Sequence, residues 1–358
     1  MARMPAKNAL IEQLIADGAT HVFGNPGTTE QGFMDVLQDY PQLKFMLALH
    51  EGVAVGMADA YARITRRPAF VELHTAPGLG NGIGMIYNAQ RGGTPLVIYA
   101  GHVDTRGLSA EPILSGDLVA MARTVCKWSA EVIYPEDVPT MLRRALKVAL
   151  EPPQGPVFLS LPLDVLDGEV DTTIRPTVHT SWRSRPDLAA VRSAAAMLAA
   201  AHRPVLIVGD GVGISGAQEE VSALAGLVGA PLIGTFTSEV NVAFDHPLWV
   251  GGVPLMSAGA IRAQLEGHDL IVMIGTPEPA GAFPTPGGPL PPDARVIEIN
   301  PNTWELGKNH AVDIAIAADP KATLAELLDL VRAEQPADQA AAACGRARGD
   351  HGAQQGHP

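Results

Sequence analysis

Short apolar runs alternate with helical patterns along this chain, and that alternation restricts it to one class of architecture. The runs 21–24 (HVFG), 44–49 (KFMLAL), 69–73 (AFVEL), 95–100 (PLVIYA) and 156–160 (PVFLS) are continuous rather than alternating. Helical patterns lie between them at 6–17, 30–39, 51–64, 81–91 and 137–150. Strands that are apolar on both faces need cover on both, so these predict a buried parallel sheet with helices on either side. The same order resumes after the polar stretch 166–187. Strands are expected there at 204–209, 230–234, 269–274, 294–299 and 313–317, with helices at 188–201, 217–228, 257–265 and 320–333. The fold class is therefore α/β, as two consecutive doubly wound parallel-sheet domains. Residues 1–170 form the first, 171–187 a linker and 188–335 the second. Residues 336–358, rich in Ala, Gly and polar side chains, are expected to be disordered.

Composition narrows the partners. Hydrophobic residues make up 47% and charged residues 18% of the 358, enough to bury two cores. A net charge of −13 argues against nucleic acid and anionic membrane surfaces. The two cysteines, Cys126 and Cys344, make neither a disulfide framework nor a zinc pattern. No signal peptide and no membrane span is expected, so the expected location is the cytoplasm.

Three stretches carry chemistry-bearing residues at predicted strand ends, where open α/β sheets bind ligands. GNPGTTE (24–30) follows the first strand; its Gly and Pro make a sharp turn, and Thr28 or Thr29 is placed to cap the next helix. The apolar run 45–49 ends in His50-Glu51, and the helix after it carries Gly52, Ala54, Gly56, Ala58, Ala60 and Ala62. Glu51 reads equally as a first-turn acidic residue or as a partly dry functional carboxylate. Burial raises its pKa while the helix dipole lowers it, which leaves the sign open. LHTAPGLGNGIG (73–84) places His74 before glycines that allow a backbone to approach a ligand closely. In the second half, GVGISG (211–216) matches a dinucleotide fingerprint only formally, because no acidic residue ends the next strand.

Taken together, VFGNPGTTE (22–30), LHEGVAVGMADAYAR (49–63), LHTAPGLGNGIGMIYNA (73–89), TPLVIYAG (94–101) and GPVFLSLPLD (155–164) resemble the thiamine diphosphate-dependent decarboxylases and acetolactate synthases. RPVLIVGDGV (203–212), LEGHDLIVMIG (265–275) and RVIEINPN (295–302) extend the resemblance through the second domain. GNPG and the His of LHTAPG point to the benzoylformate decarboxylase group. The resemblance implies a pyrimidine-binding domain followed by a central domain. A third, diphosphate-binding domain would hold Mg²⁺ through GDG and a later NN. Gly209-Asp210-Gly211 and Asn241 come near that spacing, but Val242 stands at the second Asn, and the motif reads as a decoy.

What the resemblance implies for single residues is specific. Glu51 hydrogen-bonds N1′ of the aminopyrimidine and so promotes loss of the C2 proton, after which the cofactor accepts electrons as a 2-keto acid loses CO2. His74 is a proton relay. Thr28 stands where the benzoylformate decarboxylases place a Ser for the substrate carboxylate. Asn25, Pro26, Gly27, Pro77, Gly78 and Asn81 join Glu51 around the cofactor, and no metal ligand is assigned. A second family His aligns with TPEPAGAFP (276–284), which has none; Ala282 is its equivalent, so the resemblance does not carry benzoylformate itself as the substrate. The expected partners are a second copy of the chain, a separate subunit with the diphosphate-binding domain and Mg²⁺, and a small 2-keto acid. FAD is not expected. The rival expectations are an inactive remnant of a three-domain enzyme and a nucleotide-binding regulatory module.

Overall fold

A computed structural model describes residues 2–178, 183–235 and 239–349. The chain divides into two units, Met1–Ser181 and Trp182–Pro358.

The first unit contains the strands β1 (Ala2–Pro5), β2 (His21–Asn25), β3 (Lys44–Leu47), β4 (Ala69–Leu73), β5 (Leu96–His102), β6 (Trp128–Glu131), β7 (Val157–Pro162) and β8 (Glu169–Thr172). Its helices are α1 (Ala6–Ala16), α2 (Gln31–Leu37), α3 (Glu51–Thr65), α4 (Thr75–Arg91), α5 (Leu118–Arg123), α6 (Val138–Leu150) and α7 (Leu163–Asp167). The main sheet runs β3-β2-β4-β5-β7-β6 and is parallel throughout. One face packs Val22, Phe70, Val97 and Tyr99 with residues of α1, α2 and α6. The other packs Phe23, Val71, Leu73 and Ile98 with residues of α3, α4 and α5. β2 leads to β3 on one side, whereas β3 leads to β4 on the far side of β2. The strand order thus reverses at the β2–β4 seam, where open α/β sheets form their ligand crevice.

Four local findings differ from the sequence expectations. The run 45–49 is an exposed edge rather than a buried strand: β3 is bordered only by β2, and Leu49 beyond it is 93% exposed. The glycines of 78–84 lie inside α4, which starts at Thr75 and not near residue 81. Gly82 faces Leu73 and Val55, where a Cβ would stand 3.3 and 3.5 Å from their side chains, so it lets α4 pack closely. The polar stretch after residue 166 includes β8, which pairs antiparallel with β1. Helix α2 has Glu30 at its N-cap with no side-chain cap, so neither Thr28 nor Thr29 serves there.

The second unit has α8 (Leu188–Ala200), β9 (Pro204–Val208), α9 (Asp210–Ser215), α10 (Gln218–Val228), β10 (Leu232–Gly234), β11 (Trp249–Gly252), α11 (Ala258–Leu265), β12 (Leu270–Ile274), β13 (Arg295–Ile299), β14 (Ile314–Ile316), α12 (Pro320–Glu334) and α13 (Ala337–Gly349). Its sheet runs β11-β10-β9-β12-β13-β14, again parallel. The expectation of a disordered tail from 336 is corrected over α13. Ala343 is 1% exposed against Gly229, and Arg346 donates to the carbonyls of Val228 and Gly229 at the end of α10. The part of the tail from 350 to 358 lies outside the described residues. Among the described residues, no helix is long and apolar enough to cross a membrane.

Candidate functional site

The β2–β4 seam gathers most of the residues singled out by sequence. Helix α3 crosses from the β3 edge and lays its N-terminus over the end of β2. His50 caps it, its Nδ1 accepting from the Gly52 amide at 3.0 Å. Glu51 is thereby fixed in the first helical turn and is 7% exposed. Its Oε1 accepts from Asn25 Nδ2 at 3.1 Å and its Oε2 from Asn81 Nδ2 at 3.0 Å. Asn25 ends β2 and Asn81 lies in α4, so three elements converge on one carboxylate. Burial pushes the Glu51 pKa up, but the hydrogen bonds from Asn81, its own backbone amide and Asn25 outweigh it, and the net shift is downward. The sign left open by sequence is thus set by these hydrogen bonds, with Asn81 the largest contributor. Glu51 stays ionised, and its three hydrogen bonds leave the carboxylate acceptor capacity for one more donor.

Gly78 faces this carboxylate. A Cβ there would stand 3.3 Å from Glu51 Oε1, so the glycine lets the carboxylate lie close against α4. Pro77 precedes it in the first turn of α4. Leu49 and Val53, which flank Glu51 in sequence, are 93% and 55% exposed. A charged carboxylate braced by two amides, with exposed apolar side chains nearby, fits an aminopyrimidine ring.

His74 stands beside this group at the N-cap of α4. Its Nδ1 lies 2.8 Å from Glu30 Oε2 and 3.3 Å from Thr29 Oγ1. Glu30 is buried and also accepts from the Gly27 amide at 2.9 Å and the Thr29 hydroxyl at 2.6 Å. Gly27 lies so close against the His74 ring that a Cβ would overlap it. Thr75, next to His74, is buried with φ of 46°, a left-handed conformation rare for a β-branched residue and typical of functional turns.

Of the residues expected at the site, Glu51, Asn25 and Asn81 are hydrogen-bonded together, and Gly78 lies against Glu51. His74 and Gly27 form a second group with Glu30. Pro26 joins Asn25 to Gly27 in the loop after β2. Thr28 is exposed, and the hydroxyl that reaches His74 belongs to Thr29. Thr29, Glu30, Glu72 and Tyr99 were missed by sequence reasoning. Glu30 had one available signal, its place at the end of GNPGTTE; Glu72 and Tyr99 stand inside apolar runs.

In the second unit, the residues behind two other readings serve local structure. Asp210 Oδ1 accepts from the Glu239 amide at 3.0 Å and Asn241 Oδ1 from the Gly213 amide at 2.9 Å, so both brace local backbone. The strand order there reverses between β9 and β12. At that point Gly211 packs on Gly275, where a Cβ would stand 2.6 Å from Gly275 Cα. Among the described residues, no group of three or more His, Cys, Asp or Glu side chains could hold a metal ion.

Two family models match the chain: the N-terminal TPP binding domain of thiamine pyrophosphate enzymes over residues 4–121, and their central domain over 191–327. Benzoylformate decarboxylase of Pseudomonas aeruginosa is 34% identical over 330 residues, covering 91% of this chain and 62% of that protein. Acetolactate synthase large subunit of Corynebacterium glutamicum is 28% identical over 339 residues, covering 93% of this chain and 54% of that protein. The crystal structure of benzoylformate decarboxylase from Polynucleobacter necessarius superimposes with a TM-score of 0.85 at 33% identity, over 93% of this chain and 62% of that one. The chain thus spans between half and two thirds of these relatives.

Proposed function

The chain belongs to the thiamine pyrophosphate enzyme family through its N-terminal and central domains, and from that premise we propose that it is the pyrimidine-binding part of a 2-keto acid decarboxylase or carboligase. The observation that carries this reading is the Glu51 carboxylate, ionised and gripped by Asn25 and Asn81 at the reversal point of the sheet. Thiamine diphosphate, when bound, supplies the electron sink for loss of CO2 from the keto acid. Glu51 would accept a hydrogen bond from ring N1′ of the bound cofactor. Asn25 and Asn81 hold it in one orientation, so its proton exchange with the ring needs no side-chain search. His74, steadied by Glu30, moves protons at the substrate side, and the Thr28 hydroxyl takes the substrate carboxylate. Mg²⁺ and the diphosphate would be held by a diphosphate-binding domain distinct from the two matched in residues 4–327.

Isothermal titration tests this division of labour. The 358-residue chain with Mg²⁺ is expected to bind thiamine diphosphate more weakly than about 1 μM, roughly −8 kcal/mol, because the charged end of the cofactor lacks its ligands. Adding a chain that carries the diphosphate-binding domain should tighten binding and bring decarboxylation of a 2-keto acid. Submicromolar affinity without a partner would overturn the reading. A second copy is expected against the exposed Leu47, Leu49 and Val53 beside the site. Sedimentation should show self-association that Leu49→Asp weakens. The rival reading as a flavin or nucleotide module has less support, since the glycines of GVGISG serve close backbone packing of Gly211 on Gly275.

A further inference from the structure

Glu72 is the penultimate residue of β4, with β2 on one side and β5 on the other. It is 0% exposed, and neither carboxyl oxygen has a hydrogen-bond partner among the described residues. Gly24 is its register neighbour on β2, and a Cβ there would stand 2.5 Å from Glu72 Oε2. The carboxyl therefore has its space only because that position is glycine. Its register neighbour on β5 is Tyr99, whose hydroxyl is also buried without a partner and whose ring meets the edge of Phe33 from α2. The charged groups that bear on Glu72 are Glu30 at the start of α2 and Glu51 at the start of α3, both negative. Burial first, then these two carboxylates, push its pKa up to about 9. Three carboxylates cannot all ionise in so dry a place without a cation, and the one with no hydrogen bonds keeps its proton.

We propose that Glu72 is a positioning residue, held as an uncharged carboxyl so that Glu30 can keep its charge and its contact with His74, and that ionisation of Glu72 disturbs this contact. The inference rests on the reading of His74 as a proton relay. A Leu at 72 would stay uncharged at every pH and at lower cost to the fold, so only a carboxyl, given its space by Gly24, makes the Glu30–His74 contact sensitive to ionisation at this position. Glu30 holds His74 through one short contact, and a negative charge on Glu72 would raise the affinity of the Glu30 carboxylate for a proton and so disturb that contact.

The test uses the 358-residue chain without cofactor, so it does not depend on whether thiamine diphosphate binds. Imidazole ¹H–¹⁵N spectra should show a step in the His74 signals at about pH 9 in the wild type. Glu72→Gln should abolish that step. Tyr99→Phe should leave it in place, which excludes the phenol as its source. Infrared spectra with isotope-labelled glutamate should show a protonated carboxyl band at pH 7 that Glu72→Gln removes. The infrared measurement on the wild type stands even if a variant fails to fold. A step that survives in Glu72→Gln, a step lost in Tyr99→Phe, or a wild type without a protonated band at pH 7 would each overturn the proposal.

Discussion

Glu51→Gln is expected to slow exchange of the cofactor's C2 proton by about 10²-fold or more once the diphosphate-binding domain is supplied, the scale of a lost acid–base contribution. The variant keeps the size of the side chain but cannot cycle a proton with N1′. It also meets a constraint that sequence did not reveal. Asn25 and Asn81 each donate to a Glu51 oxygen, so a Gln side chain must present its NH₂ to one of them. That Asn has to flip or lose its bond, at about 1–3 kcal/mol. Cofactor affinity should fall far less than exchange, because the diphosphate contacts lie elsewhere. Asn81→Ala should act differently: the carboxylate remains, but burial is less opposed and its pKa rises. Thr28→Ala and His74→Ala should leave C2 exchange fast while KM rises or later proton transfers slow. H/D exchange followed by NMR measures all of these. Exchange at the wild-type rate in Glu51→Gln would reduce Glu51 to a helix-start carboxylate.

Glu72→Gln is expected to stabilise the first unit by about 3 kcal/mol at pH 7. In the unfolded chain a glutamate loses its proton near 4.5, whereas Glu72 in the fold holds it to about 9. Between those values the folded chain binds the extra proton, so stability falls as pH rises from about 4.5 to about 9, by about 1.4 kcal/mol per pH unit. Gln has no proton to lose, so the variant should lack this decline. Glu51 contributes with the opposite sign: its pKa is lowered in the fold, so its stabilisation is present above 4.5 and is lost as pH falls through its folded value. Urea denaturation across that pH range should show the two proteins equally stable in acid and diverging toward alkali. Parallel curves would mean that Glu72 is ionised in the fold.

His74 and Glu51 could be singled out by sequence because each follows a strand end and belongs to a motif of local spacing. Asn25 and Asn81 came only with the resemblance, since one ends a strand just before a Pro-Gly turn and the other lies in a run of glycines. That run was the hardest to read correctly. Glycine lowers helix propensity, so the sequence predicts a helix only from 81; α4 begins at Thr75 because Gly78 and Gly82 let it lie close to Glu51, Leu73 and Val55. The tail was misread for a related reason. Its Ala-rich composition has little apolar mass, yet Ala343 needs only a glycine opposite it to bury.

The sequence by itself determined the α/β class, the succession of two parallel-sheet units and the strand ends from which chemistry is presented, because these follow from periodicity and local turns. It did not determine that 45–49 is an exposed edge, since an apolar run looks the same whether it has one neighbour or two. Nor did it determine the charge of Glu51, which depends on two amides 26 residues before it and 30 after. Glu72 is the extreme case. Within AFVEL it reads as one polar residue in a strand, and only the sheet order, with Gly24 on one side, Tyr99 on the other and Glu30 bearing on it, decides that it keeps its proton. Ionisation depends on what stands within a few ångströms in space, and that is set by which strands become neighbours.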